Sequence, residues 1–292
     1  MSNDLLDRIT AEITKTGFPL ELRAASYLRE RGYHVATNIY FVDKDEEKGR
    51  EVDIRALKND FLDTRRVVRH CLLIECKKSS SRPWVFFTSE VASYDQNVTD
   101  ILCHGIDYSH WLRTMTEARE MQERHPWFRE PERGRSFFEP FSSGGTDTNQ
   151  TINKAILGAI KACIEAHQTN FASDYVGVRN ATFYYPIVVF DGELFTANLS
   201  GGDLVVRPTD SVLVSAHYRS AKYPDDQKHT VLIVRESAFN LAVQGLDEWL
   251  QYCAARFKAH PRCFATPRRQ PERAKRRRRE PKTARTGTQA KR

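Results

Sequence analysis

Residues 71–78 read Cys-Leu-Leu-Ile-Glu-Cys-Lys-Lys and carry the strongest structural signal in this chain. The four leading apolar residues predict a buried β-strand, which runs directly into a carboxylate and an ammonium two positions apart. Because side chains alternate across a strand, Glu75 and Lys77 face the same side of it. Burying charged groups costs free energy unless they are paired or used, so the stretch indicates a functional site.

The sequence around Glu75 and Lys77 carries this inference, because their spacing alone is common. An acid followed two residues later by lysine occurs four times, at Glu46/Lys48, Glu75/Lys77, Asp226/Lys228 and Glu280/Lys282. Three of these pairs lie in polar stretches and are interpreted as solvated charge pairs. Only the Glu75 pair follows an apolar run and has another strand-borne acid, Asp53, shortly before it. Together these residues predict a divalent-metal site.

The order Asp53, then Glu75-x-Lys77 22 residues later, resembles the active-site motif of the PD-(D/E)xK nucleases, the restriction-endonuclease-like superfamily. Members of this superfamily often carry a glutamate on the helix before the first core strand, and Glu21 in Gly17-Phe18-Pro19-Leu20-Glu21-Leu22 matches it. The resemblance covers about residues 10–90. It departs from the motif at Val52, which stands where many members have proline.

The resemblance implies an α/β fold with a restriction-endonuclease-like core, in which helices flank a mixed central β-sheet. It also implies a metal-dependent nuclease whose catalytic residues are Asp53, Glu75, Lys77 and Glu21. The expected cofactor is Mg²⁺ (or Mn²⁺), bound by Asp53, Glu75, the backbone carbonyl of Cys76 and, as an open alternative, Glu21. Such a cation needs few protein carboxylates, since it keeps several waters, and it activates water for phosphodiester hydrolysis. Lys77 is expected beside the attacking water.

Structural alternatives exist for each of these residues. Glu75 and Lys77 could form an exposed ion pair at a strand edge. Asp53 and Arg55 could form a salt bridge on a half-exposed strand. Glu21 lies in the first turn of a predicted helix, where the helix macrodipole favours an acid whatever the function.

The polar loop after the Glu75 strand offers groups for binding nucleic acid. Lys78 and Arg82 are predicted to contact phosphates. Trp84 has two interpretations, stacking on a base or packing as the start of a buried strand, and packing is the favoured one.

The positive charge of the chain is concentrated in its last residues. Residues 268–292 hold twelve Lys and Arg and two Glu, a net charge of +10, so the rest of the +7 chain has a net charge of −3. Residues 263–292 are predicted to be a disordered basic tail that binds the phosphates of DNA or RNA without sequence preference. The alternatives are a solubility tail and a contact with another, acidic protein. For the protein as a whole, DNA is the expected partner ahead of RNA. The predicted phosphate-binding residues of the tail are Lys275, Arg276, Arg277, Arg278 and Arg279.

Composition narrows the class of protein further. No run of eighteen apolar residues exists, so no membrane partner is expected, and residues 1–8 lack the features of a signal peptide. Six cysteines without CxxC pairing favour a reducing, cytoplasmic location. Restriction-like enzymes often act as dimers, so a homodimer is an open alternative.

We expect one α/β domain over residues 1–262, with the core motif at 17–90 and a sheet and helix extension at 149–258. Residues 88–128 are predicted to be helical with breaks, residues 129–150 to form a loop, and Asp191-Gly192 to form a hairpin turn. The predicted function is a metal-dependent endonuclease acting on DNA. The alternatives are a catalytically inactive nucleic-acid-binding protein that keeps the nuclease fold, and a protein-binding scaffold.

Overall fold

The computed structural model of the 292-residue chain describes residues 3–90, 101–107, 110–111, 124–130, 132–141, 149–170, 178–223 and 227–265. The α-helices with both ends in these ranges are α1 (Asn3–Lys15), α2 (Phe18–Glu30), α3 (Gln150–Asn170) and α4 (Glu236–Ala259). The strands are β1 (His34–Asp43), β2 (Lys48–Asp63), β3 (Arg66–Lys78), β4 (Trp84–Glu90), β5 (Leu102–His104), β6 (Glu132–Phe138), β7 (Arg179–Asp191), β8 (Leu194–Ser200), β9 (Asp203–Pro208), β10 (Ser211–Tyr218) and β11 (Gln227–Arg235).

The described strands form one mixed sheet in the order β1-β2-β3-β7-β11-β10-β6-β4-β8-β9, with β5 paired to β7. Strand β2 lies between β1 and β3 and is antiparallel to both. Strand β3 then runs parallel to β7 along its whole length, from Arg66↔Arg179 to Lys78↔Asp191. From Arg66 to Ile74, β3 is paired with a neighbour on both sides, and most of its side chains are buried.

Helices cover both faces of this sheet. Helices α2 and α4 pack on one face, where Leu28 and Leu246 join the same apolar cluster as Ile74. Helix α3 packs on the opposite face, where Ile156 joins a cluster with Phe190. The predicted α/β class, a mixed sheet flanked by helices, is therefore confirmed. The finer assignment to a restriction-endonuclease-like core stays a prediction, as do the domain boundaries.

Helix α2 packs on the sheet through one apolar face, and this brings its first turn, which carries Glu21, close to the sheet. The buried side chains Leu20, Ala24, Ala25 and Leu28 recur at helical spacing and form one stripe. Pro19 lies in the first turn, where its fixed φ and missing N–H are tolerated. Glu21 lies at the margin of the buried stripe and is half-buried.

Strand pairing overturns two predictions made from local patterns. The predicted helical stretch 88–128 is wrong where it begins in β4 and where it contains β5, whereas residues 110–111 and 124 are helical and Pro126–Phe128 is a 3-10 helix; residues 91–100, 108–109 and 112–123 lie outside the described residues. The predicted loop 129–150 contains β6, which pairs with β4 and touches β10. Strand β6 reads Glu-Arg-Gly-Arg-Ser-Phe-Phe and lacks alternating apolar residues, so only its partners make it a strand.

The predicted hairpin at Asp191-Gly192 is also wrong. The two residues connect β7 to β8, but β7 lies between β3 and β11 whereas β8 lies between β4 and β9. A turn signature fixes where the chain reverses or bends, and it does not fix which strands then pair.

Among the described residues, no helix is both long enough and apolar enough to span a lipid bilayer.

Candidate active site

Glu75 and Lys77 lie near the end of β3, where the buried strand approaches the surface. Glu75 is only 7 % exposed, and Lys77 is half-buried. Both side chains project from the face that α3 covers, since Glu75 contacts α3 at Gly158 and strand side chains alternate. The alternative of an exposed ion pair at a strand edge is therefore wrong for Glu75.

Asp53 reaches the same place because β2 separates from β3 there. The β2–β3 pairing ends at Ile54↔Ile74, one residue short of Asp53. Val52 packs in an apolar cluster on the α3 face, whereas Ile54 packs in the cluster on the α2 face. Leu57 packs against the α3-face cluster as well, so alternation along β2 places Asp53 on that face, and the strand is irregular only beyond it, at Val52. No residue of β2 pairs with Cys76, and the backbone N–H of Cys76 instead donates a 2.6 Å hydrogen bond to Oδ2 of Asp53.

The two carboxylates and a backbone oxygen surround one cation, the ammonium of Lys77. Its Nζ lies 2.8 Å from Oε2 of Glu75 and 3.5 Å from Oδ2 of Asp53. It also donates to the carbonyl oxygen of Cys76 at 3.1 Å. The alternative in which Asp53 pairs with Arg55 is not what the structure shows, because the cation nearest to Asp53 is Lys77.

Burial raises the pKa of Glu75, whereas the neighbouring carboxylates raise the pKa of Lys77. Burial raises the pKa of Glu75 to about 7, and the positive charge of Lys77 opposes this rise. Burial acts to lower the pKa of Lys77, but the attraction of Glu75 and Asp53 outweighs it and leaves that pKa raised. Lys77 is therefore an ammonium at neutral pH, suited to donating hydrogen bonds and stabilising negative charge rather than to accepting a proton.

Glu21 lies at the edge of this cluster. Burial raises the pKa of its carboxyl, repulsion from Asp53 adds to the rise, and attraction to Lys77 opposes it. These influences show that α2 brings Glu21 into the electrostatic field of the site. No ion pair joins Glu21 to Lys77 in the described structure, so a direct metal ligand role stays a prediction.

The oxygen atoms around Lys77 fit a hard divalent cation. Within the described ranges, no three His, Cys, Asp or Glu side chains group closely enough to hold a metal ion. Mg²⁺ does not need such a group, since one or two carboxylates and several waters often suffice. Oδ2 of Asp53, Oε2 of Glu75 and the carbonyl of Cys76 are all oxygens that already converge on one positive charge. This donor set fits Mg²⁺ or Mn²⁺ and lacks the nitrogen and sulfur ligands typical of zinc.

Two further residues contribute to the site and were not identified from the sequence. Gly158 of α3 lies directly against the carboxylate of Glu75. Arg50 of β2 acts electrostatically on Glu75, opposing the rise in its pKa. The Nε of Arg50 lies 2.8 Å from Oδ2 of the fully buried Asp43, which also accepts from Lys161 of α3 at 2.8 Å. This charged network ties the β1–β2 hairpin to α3 beside the site.

Of these residues, only Gly158 could have been singled out from the sequence. It is a glycine in the middle of an otherwise regular amphipathic helix, where glycine costs about 1 kcal/mol relative to alanine. The network of Asp43, Arg50 and Lys161 has no such signal, because charged residues of this kind are most often solvated.

The predicted nucleic-acid contacts lie around the end of β3. The ammonium of Lys78 donates to the carbonyl oxygen of Thr14 at 2.9 Å and lies 3.3 Å from Asp191, so it holds α1 next to the site. Arg82 is exposed in the following loop.

Trp84 is fully buried and stacks on Phe190 with ring centroids 4.0 Å apart, which confirms packing and excludes base stacking. Residues 275–279 of the basic tail lie outside the described residues.

Comparison with known proteins adds no relative: neither a protein-family model, nor a curated protein, nor a solved structure matches this chain.

Proposed function

We propose that this protein is a metal-dependent nuclease that hydrolyses phosphodiester bonds in DNA. The observation that supports the proposal best is the convergence of Asp53 and Glu75 on Nζ of Lys77, at 3.5 and 2.8 Å. Two carboxylates from adjacent strands, a backbone carbonyl and an ammonium are the groups that this chemistry requires.

Each residue has a distinct role in the proposed mechanism. Asp53, Glu75 and the carbonyl of Cys76 would hold Mg²⁺ or Mn²⁺, with Glu21 at the margin. The bound cation would polarise a phosphoryl oxygen and acidify its water. Asp53 is fixed for this role by its hydrogen bond from the N–H of Cys76. Lys77 stays protonated, so it orients the attacking water and stabilises the negative charge that develops on the phosphoryl group.

DNA is placed ahead of RNA because the restriction-endonuclease-like proteins that the motif resembles act mainly on DNA. The tail, with a net charge of +10 over residues 268–292, supports a polyanionic partner of either kind. A homodimer that cuts both strands stays a prediction.

A cleavage assay with the purified full chain tests the proposal. Single-stranded, double-stranded and modified DNA and RNA are incubated with Mg²⁺, with Mn²⁺ or with excess chelator. We expect DNA cleavage that requires the metal and stops on chelation. If the chain cuts none of these substrates, or cuts equally well with chelator present, the proposed function is wrong.

The tail gives a prediction that is independent of the chemistry. Truncation before residue 268 removes twelve Lys and Arg, so DNA binding is expected to weaken and to depend less steeply on salt concentration. The cleavage rate at saturating DNA should be unchanged. Fluorescence anisotropy between low and moderate salt measures the slope, and an unchanged slope would show that the tail does not contact phosphate.

A second candidate is a non-catalytic nucleic-acid-binding protein with the same fold. One observation favours it: Lys77 already forms an ion pair with each carboxylate, so both acids have a cationic partner without any metal. Metal affinity distinguishes the two candidates. A non-catalytic protein would show no Mn²⁺ binding that depends on Asp53 and Glu75.

A further inference from the structure

Gly158 of α3 lies against the candidate metal ligand Glu75. A Cβ atom built on Gly158 would stand 2.9 Å from Oε1 of Glu75 and 3.1 Å from its Cδ. Real side chains essentially never approach so closely, so any larger residue at this position would force the carboxylate or the helix to move.

Folding alone does not explain a glycine at position 158. The residue lies inside a regular helix, where glycine is less favourable than any other residue except proline. Its backbone is helical, so no unusual φ requires glycine. Alanine is accepted and buried nearby in the same helix, at Ala155, Ala159 and Ala162. The three nearest atoms to a Cβ on Gly158 all belong to Glu75, so the carboxylate is what excludes a methyl group.

The contact fixes the direction of the Glu75 carboxylate. Oε1 lies against the backbone of α3, and Oε2 therefore points to Nζ of Lys77 at 2.8 Å. The helix is itself anchored, because Lys161, one turn after Gly158, is buried and bound to Asp43. A methyl group on residue 158 would displace the carboxylate more readily than the helix, and Oε2 would leave its place beside Lys77 and Asp53.

We propose that Gly158 is a positioning residue for the candidate metal site: its missing side chain lets α3 press Glu75 into the orientation in which Oε2 faces the shared cation position. This inference rests on the proposed function for its metal-binding consequence, and its steric basis does not depend on any metal.

Metal binding by the full chain is the first test. We expect Gly158→Ala to weaken Mn²⁺ binding by roughly tenfold to a hundredfold, the range seen when groups that orient a ligand are lost. The matched control is Gly245→Ala, which changes an interior glycine of α4 whose added Cβ would meet Pro126 instead of the site. The control should bind Mn²⁺ like the wild type. Wild-type affinity in Gly158→Ala would overturn the proposal.

Thermal unfolding without metal is the second test, and it separates failure of this inference from failure of the proposed function. In the Glu75→Ala background the space is open, so Gly158→Ala should raise Tm through its better helix propensity. In the wild-type background the displacement of the Glu75 carboxylate should cancel that gain or reverse it. An equal effect in both backgrounds would overturn the inference, whether or not the wild type binds Mn²⁺.

If Gly158→Ala alone does not fold, the double variant decides the question. Folding of Gly158→Ala/Glu75→Ala would then support the steric coupling of the two residues. Failure of both variants to fold, with Glu75→Ala alone folded, would contradict it.

Discussion

Asp53→Asn is expected to keep the fold and to lose metal-dependent DNA cleavage by about a thousandfold or more, since a catalytic cation contributes several kcal/mol of transition-state stabilisation. The amide has nearly the shape of the carboxylate, and its oxygen can still accept the hydrogen bond from the N–H of Cys76. What it lacks is the negative charge. The variant therefore isolates the charge of Asp53 from its structural contact.

Single-turnover cleavage and Mn²⁺ titration measure this effect. The matched control is Asp60→Asn, which makes the same change on the same strand at a position paired with Val68 and away from the site. It should cleave DNA and bind Mn²⁺ like the wild type. If Asp53→Asn cleaves at the control rate, Asp53 is not a functional ligand and the proposed site is wrong.

Lys77→Met is expected to separate metal binding from turnover. Removing the ammonium leaves Asp53 and Glu75 facing each other without a cation, since Nζ lies 3.5 and 2.8 Å from them. Mn²⁺ binding should therefore be as tight as in the wild type or tighter. Cleavage should fall by about a hundredfold or more, the usual cost of losing one preorganised donor to the transition state.

The Tm of Lys77→Met, measured with and without Mn²⁺, is an independent test of the same role. Without metal the two carboxylates lose their counter-charge, so Tm should fall, and Mn²⁺ should restore it by binding the folded state. Lys48→Met is the control, because the ion pair of Lys48 with Glu46 is exposed and should contribute little. If Lys77→Met cleaves DNA as fast as the wild type, Lys77 has no role in catalysis. Loss of Mn²⁺ binding would show that the ammonium assembles the site rather than acting in turnover.

The location of the candidate site on β3 followed from local patterns. The apolar run before Glu75 predicts burial, and alternation places Glu75 and Lys77 on one face. The position of Asp53 near Glu75 could also be predicted from the sequence, because β2 and β3 are consecutive strands and consecutive strands usually pair. The end of the β2–β3 pairing beside Asp53, where Oδ2 accepts from the N–H of Cys76, could not be predicted from local patterns.

Sequence reasoning failed wherever a strand is defined by partners that are distant in the chain. Strand β6 has no apolar alternation of its own and exists because β4 lies beside it. Strands β7 and β8 follow each other across Asp191-Gly192 and yet pair with other strands. Turn residues and periodicity carry information about a few neighbouring positions only, so they could not decide these pairings.

The amino-acid sequence by itself determined the α/β class and the identity of the charged residues at the end of β3, because helix and strand periods are local properties of the chain. Only the tertiary structure decided that Gly158 lies against Glu75, and that Asp43 and Lys161, 118 residues apart, form a buried ion pair beside it. Contacts between layers depend on how separately formed elements pack, and that packing is settled by the shape and charge of all of them together.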